Sequence, residues 1–114
     1  MKDLSKQKCE ACTIDAPLVP EKKFTELLKD LDGWEVIYGD INLLSKTFLF
    51  NSYQDSIKFS MEVAELAEEE DHHPEIILEW GKVTVSWWSH KIKGLHQNDF
   101  ICAAKTDKLF NSFD

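Results

Sequence analysis

Pro74 limits the folding of this chain more than any other residue. It has no backbone N–H, and its ring disfavours helical geometry in the residue before it. The run from Tyr53 to about Glu69 repeats its apolar residues at helical spacing, whereas the run after Pro74 reads as strand. A helix must therefore end at Asp71-His72-His73, and extended chain must follow. Four consecutive acids, Glu68-Glu69-Glu70-Asp71, lead into that stop.

The rest of the chain arranges itself around this break. Pro20 stands near the start of a short helix over about 21–31, with Phe24, Leu27, Leu28 and Leu31 at helical spacing and Asp32-Gly33 as its stop. Trp34 to Tyr38 and Ile41 to Phe50 form a hairpin across Gly39-Asp40. Ser52 is a natural N-cap for the central helix, with Asp55 in its first turn. After Pro74, a second hairpin runs from Ile76 to Trp80 and from Val83 to Ser89 across Gly81-Lys82. Val83, Val85 and Trp87 share its core face, and Thr84, Ser86, Trp88 and His90 the other. A last helix starts near His96-Gln97-Asn98-Asp99, with Asp99 as an acid of its first turn, and runs to about Phe110. The order α-β-β-α-β-β-α predicts an α+β fold, a four-stranded antiparallel sheet with helices packed on one face. Residues 1–19 read as a poorly structured leader and 20–114 as a single domain.

Charge and composition exclude several functions. Thirteen basic against 21 acidic residues give a net charge of −8, which argues against a nucleic-acid backbone as partner. The N-terminal residues lack the apolar stretch of a signal peptide, and no apolar run approaches the length that spans a bilayer, so no membrane partner and a cytoplasmic location are expected. Cys9, Cys12 and Cys102 are an odd number and do not suggest a disulfide framework. Cys9-Glu10-Ala11-Cys12 has the spacing of half a zinc knuckle, but no second Cys/His pair completes it, and the plainer reading is a pair of reduced thiols.

The chemistry gathers at the break. His72 and His73 stand at the helix stop, and His90 follows His73 by 17 residues at a strand end. Histidine titrates nearest neutrality, and neighbouring carboxylates favour its charged form, so the cluster can hand protons to a substrate. Two histidines at a helix C-terminus could instead simply interact with its dipole. Together with Glu68 they are also acceptable zinc or iron ligands, and residue types alone leave a metal open. On a helical projection the charged positions 54, 55, 58, 62, 65 and 69 fall on one arc, leaving an apolar arc of about 220°. Glu68 falls on the apolar side, one turn before His72, and is expected to support that ring and raise its pKa. Trp88, on the side of His90, could stack on a flat ligand or fill an interface.

Glu68-x-x-Asp71-His72-His73-Pro74-Glu75, Lys82-Val83-Thr84-Val85 leading to Trp88-Ser89-His90, and Gly94-Leu95-x-x-x-Asp99 together resemble the pterin-4a-carbinolamine dehydratase family in its bacterial form. The likeness runs from about Trp34 to Asp107. It departs at His96, where the family has a small polar residue capping the last helix. The resemblance implies dehydration of 4a-hydroxytetrahydrobiopterin, left by aromatic amino acid hydroxylases, to quinonoid dihydropterin and water, with no metal or cofactor. It implies His72, His73 and His90 as the active-site histidines and Glu68 and Asp71 as their acidic supports. Trp34 would be a pocket wall, with Trp88 and Ser89 completing the substrate-binding set. It also implies a homodimer or homotetramer. A non-enzymatic dimerisation or coactivator module of the same fold is the alternative.

Overall fold

The computed structural model describes Leu4 and residues 17–113. The Cys9–Cys12 pair lies outside the described residues. A 3-10 turn, Glu21–Lys23, follows Pro20 and runs into α1 (Phe24–Leu28). Then come β1 (Glu35–Ile37), β2 (Leu43–Leu49), α2 (Tyr53–Glu70), β3 (Glu75–Glu79), β4 (Lys82–Trp87) and α3 (Gln97–Asn111). All strand pairs are antiparallel, in the order β1-β2-β4-β3. The expected element order and fold class are those of the structure. The first helix is shorter than expected, because its opening turn is 3-10 and the chain beyond Leu28 forms turns up to Gly33, which adopts φ 84°.

Two hairpins supply the sheet, and β2 pairs with β4 across its middle. Gly81 turns the second hairpin at φ 70°, and a Cβ there would sit 3.0 Å from the Phe50 carbonyl oxygen. A glycine is needed on both counts. Leu44 and Phe48 of β2 and Val83, Val85 and Trp87 of β4 point to the helix side and are buried. They meet Phe59, Val63, Leu66 and Ala67 of α2 and Phe100, Ile101 and Ala103 of α3 in one core. Phe48, Phe59 and Phe110 interlock with ring centroids 4.9–5.8 Å apart, the tilted spacing aromatic pairs favour. Leu4 and Phe24 belong to the same core, and the Val19 N–H donates to the Leu95 carbonyl at 2.8 Å.

The opposite face of the sheet is polar at its centre. Ser45 and Ser86 share a hydroxyl hydrogen bond at 2.9 Å, and Thr47 and Thr84 another at 3.0 Å.

The central helix is capped as expected, the Asp55 N–H donating to Ser52 Oγ at 3.1 Å. Its inward face is Ser56, Phe59, Val63, Leu66 and Ala67. Tyr53, Ile57 and Met61 are exposed, although they lie on its apolar arc. Among the described residues, no helix is long and apolar enough to cross a membrane.

Candidate active site at the end of the central helix

The end of α2 determines which way each histidine faces. Asp71 takes the left-handed conformation, φ 52° and ψ 44°. The His72 N–H then donates to the Ala67 carbonyl at 3.0 Å and the Asp71 N–H to that of Glu68 at 3.3 Å. This pair of bonds is the Schellman stop, in which the residue after the left-handed one folds back against the last turn. That residue is usually apolar; here it is His72, only 3 % exposed, its ring stacked on Trp87 at 5.6 Å and 9°. The next residue, His73, is turned outward, and Pro74 commits the chain to β3.

His72 meets a carboxylate from the far end of the sequence. Its Nε2–H donates to Asp99 Oδ1 at 2.6 Å, and Asp99 is fully buried. Asp99 Oδ2 accepts from Ser89 Oγ at 2.9 Å and from the His96 N–H at 2.8 Å. A buried carboxylate requires such partners. Three donors converge on it, so its orientation is fixed, and with it the tautomer and plane of the His72 ring. Nδ1 takes no part in that bond.

The other two histidines approach from the outside. Two backbone bonds between Ser89 and Gly94, at 2.8 and 3.4 Å, close a tight turn with Lys93 at φ 52°. The turn sets His90 against the end of α2, where His90 Nε2–H donates to the His73 carbonyl at 3.0 Å. Trp88 lies tilted against the His90 ring, centroids 4.4 Å apart. His73 Nε2–H donates to Glu68 Oε2 at 2.5 Å. Asp71, His72, His73, His90 and Lys91 line a pocket of about 380 Å³.

The structure thus brings together His72, His73, His90, Glu68 and Asp71. It corrects the support assigned to Glu68, which pairs with His73 and not His72. Glu68 also does not face the apolar side, since its side chain is 78 % exposed. The inward acid of that turn is Glu70, paired with Lys105 at 3.0 Å. Helical projection placed Glu68 beside His72 on the premise that the helix persists, and the left-handed Asp71 breaks that register. Ser89 spends its hydroxyl on Asp99, and Trp88 sits behind His90. Trp34 is apart from the cluster, buried edge-on to Phe48 and donating to Asp107 Oδ1 at 2.9 Å. Asp99 as the partner of His72, and Lys91 at the pocket, were not expected from the sequence. Only the position of Asp99 in the family pattern hinted at more than a helix acid.

A larger concavity of about 880 Å³, lined by residues such as Phe50, Lys58, Met61 and Phe113, holds none of the histidines. The smaller pocket is the better candidate because three titratable side chains, each held by a hydrogen bond, converge there. Among the described residues no three His, Cys, Asp or Glu side chains are grouped to hold a metal ion.

Glu68→Gln is expected to cost no more than about fivefold in turnover, the value of an exposed ion pair of up to about 1 kcal/mol. Glu65→Gln is the control, and a loss well beyond fivefold in the Glu68 variant alone would give Glu68 a larger role.

The chain is similar to known proteins in both sequence and fold. Residues 17–109 match the family model described as pterin 4 alpha carbinolamine dehydratase. A protein of Vibrio vulnificus, provisionally named pterin-4-alpha-carbinolamine dehydratase, is 54 % identical over 107 residues, covering 93 % of this chain and 97 % of its own. A protein of Photobacterium profundum with the same provisional name is 55 % identical over 109 residues, covering 95 % and 97 %. Among solved structures, a transcriptional coactivator/pterin dehydratase from Brucella melitensis superposes with a TM-score of 0.76 at 28 % identity, over 82 % of this chain and 98 % of that one. A pterin dehydratase-like RuBisCO assembly factor of the alpha-carboxysome gives 0.58 at 26 % identity, over 68 % and 88 %. With the family model spanning most of the chain and half the residues shared with these relatives, the chain belongs to the pterin 4 alpha carbinolamine dehydratase family.

Proposed function

We propose that this protein dehydrates 4a-hydroxytetrahydrobiopterin to quinonoid dihydropterin and water, recycling the pterin of aromatic amino acid hydroxylases. The observation that carries the reading is the convergence of three histidines on one pocket, one of them locked to a buried aspartate. The reaction breaks the C4a–O bond while the N5 lone pair forms N5=C4a. One proton goes to the departing hydroxyl, which leaves as water, and one leaves N5. No electrons are gained or lost, so one acid and one base suffice.

His72 suits the base. Asp99 holds Nε2–H, which leaves Nδ1 to take the N5 proton, and the carboxylate balances the charge that then develops. His73 suits the acid, since its imidazolium would be balanced by Glu68 and is open to solvent for reprotonation. His90 anchors the His73 main chain through its Nε2–H, and its ring extends the pocket wall. Asp71 and Lys91 at the pocket can meet the polar edge of the pterin. The direct test is to add the protein to a phenylalanine hydroxylase reaction and follow the carbinolamine. Its decay should accelerate in proportion to added protein, and an unchanged decay would refute the proposal.

The exposed stripe Tyr53, Ile57 and Met61 supports a homodimer or homotetramer built on α2, since apolar surface of this kind is normally covered. Sedimentation at micromolar concentration should show no dominant monomer, and a fully active monomer would contradict this. The same stripe favours the alternative, a binding module acting without catalysis. In that case the histidine variants described below would lose nothing of the protein's function.

A further inference from the structure

We infer that His96 is a positioning residue for His72, acting as the cap of α3 and through Asp99; this rests on the reading of His72 as the base. A helix N-cap is ordinarily Ser, Thr, Asp or Asn, whose short side chain accepts a hydrogen bond from the first turn. Here the residue is histidine in extended conformation, φ −113° and ψ 164°, and its Nδ1 accepts from the Asn98 N–H at 2.9 Å. The ring is buried, 2 % exposed, so it is packed in place and does not swing between solvent and cap.

The same residue is tied to Asp99 twice through its main chain. The His96 N–H donates to Asp99 Oδ2 at 2.8 Å, and the Asp99 N–H donates to the His96 carbonyl at 3.0 Å. The other oxygen of that carboxylate holds His72 at 2.6 Å. One short chain of bonds therefore runs from the His96 ring through the first turn of α3 and Asp99 to the His72 ring. If the first turn frays, the Asp99 carboxylate loses a fixed donor, and the plane of His72 is no longer set. Ser89 alone then steadies Oδ2.

Asparagine is the informative replacement, because its Oδ1 can occupy the place of the histidine Nδ1 and accept the same bond. His96→Ala removes that acceptor. His96→Gln keeps bulk and polarity but moves the acceptor beyond the cap position, and it replaces the alanine variant should that one fail to fold. At a temperature well below melting, His96→Ala or His96→Gln should lower kcat by about 10- to 100-fold with KM nearly unchanged, as a misplaced catalytic group does. His96→Asn should return kcat to within about threefold of the wild type, since Asn is among the best caps.

The second readout is independent of turnover. The His72 Nε2 proton, shielded against Asp99, should give a sharp, slowly exchanging downfield NMR signal in the wild type and in His96→Asn. That signal should broaden or shift in His96→Ala or His96→Gln. If the protein does not dehydrate carbinolamines, this signal alone decides. An unchanged signal and unchanged kcat without the cap would overturn the inference, as would an asparagine variant as impaired as the alanine one.

Discussion

Asp99→Asn should cut carbinolamine turnover by about 10²- to 10⁴-fold, the range removed with a general acid–base group. The wild-type carboxylate accepts from three donors, His72 Nε2–H, Ser89 Oγ–H and the His96 N–H. An amide offers one acceptor oxygen and one donor group. Where its NH2 faces His72, the ring must accept at Nε2 and carry its proton on Nδ1, the tautomer that cannot take a proton from N5. Where the NH2 faces the other side, it meets the His96 N–H, and a buried donor is left unpaired at a cost of about 1–3 kcal/mol. The variant should therefore be slow and also melt at lower temperature. Wild-type turnover in a correctly folded Asp99→Asn protein would remove His72 from the role of base. Steady-state kinetics with a thermal melt on the same sample check both effects.

His73→Ala should lose about 10²- to 10⁴-fold in turnover, and His90→Ala, which removes pocket wall and the bond that places the His73 main chain, about 10- to 100-fold, each without a comparable loss of stability. Both side chains are exposed, so their truncation empties no part of the core. The His73–Glu68 pair is 56 % and 78 % exposed, a setting in which ion pairs add little to folding. This separates them from His72 and Asp99, whose removal disturbs stability and activity together. A His73 or His90 variant that turns over as fast as the wild type would lose its assignment. A His90 variant that merely unfolds would show that its bond to the His73 carbonyl is structural.

The element order was legible because its signals are local. Pro74, the Ser52 cap, and the alternation of Val83, Val85 and Trp87 act over a few residues, and each has its expected place. The cluster of His72, His73 and His90 was legible for the same reason, as a helix stop and a strand end that the second hairpin must bring close. The hydrogen-bond partners were less legible, because they depend on one backbone conformation and one long-range contact. A left-handed Asp71 rotates His72 inward and His73 toward Glu68, which a continuous helical projection cannot anticipate. Asp99 reaches His72 from 27 residues away, and its local role in the first turn of α3 conceals the distant one. Trp34 looked like a pocket wall by resemblance, yet its indole N–H is committed to Asp107, where Lys46 also binds at 2.9 Å.

The central claim is that side chains of this cluster alone move both protons. Single-turnover decay of preformed carbinolamine, with chelator-treated wild type beside the His73→Ala and His90→Ala variants, tests it most directly. The account predicts that chelator treatment leaves the catalysed rate and the melting temperature unchanged while each substitution removes most of the catalysed rate. Loss of the rate on chelation, restored by stoichiometric zinc or iron, would contradict it and make the same histidines metal ligands.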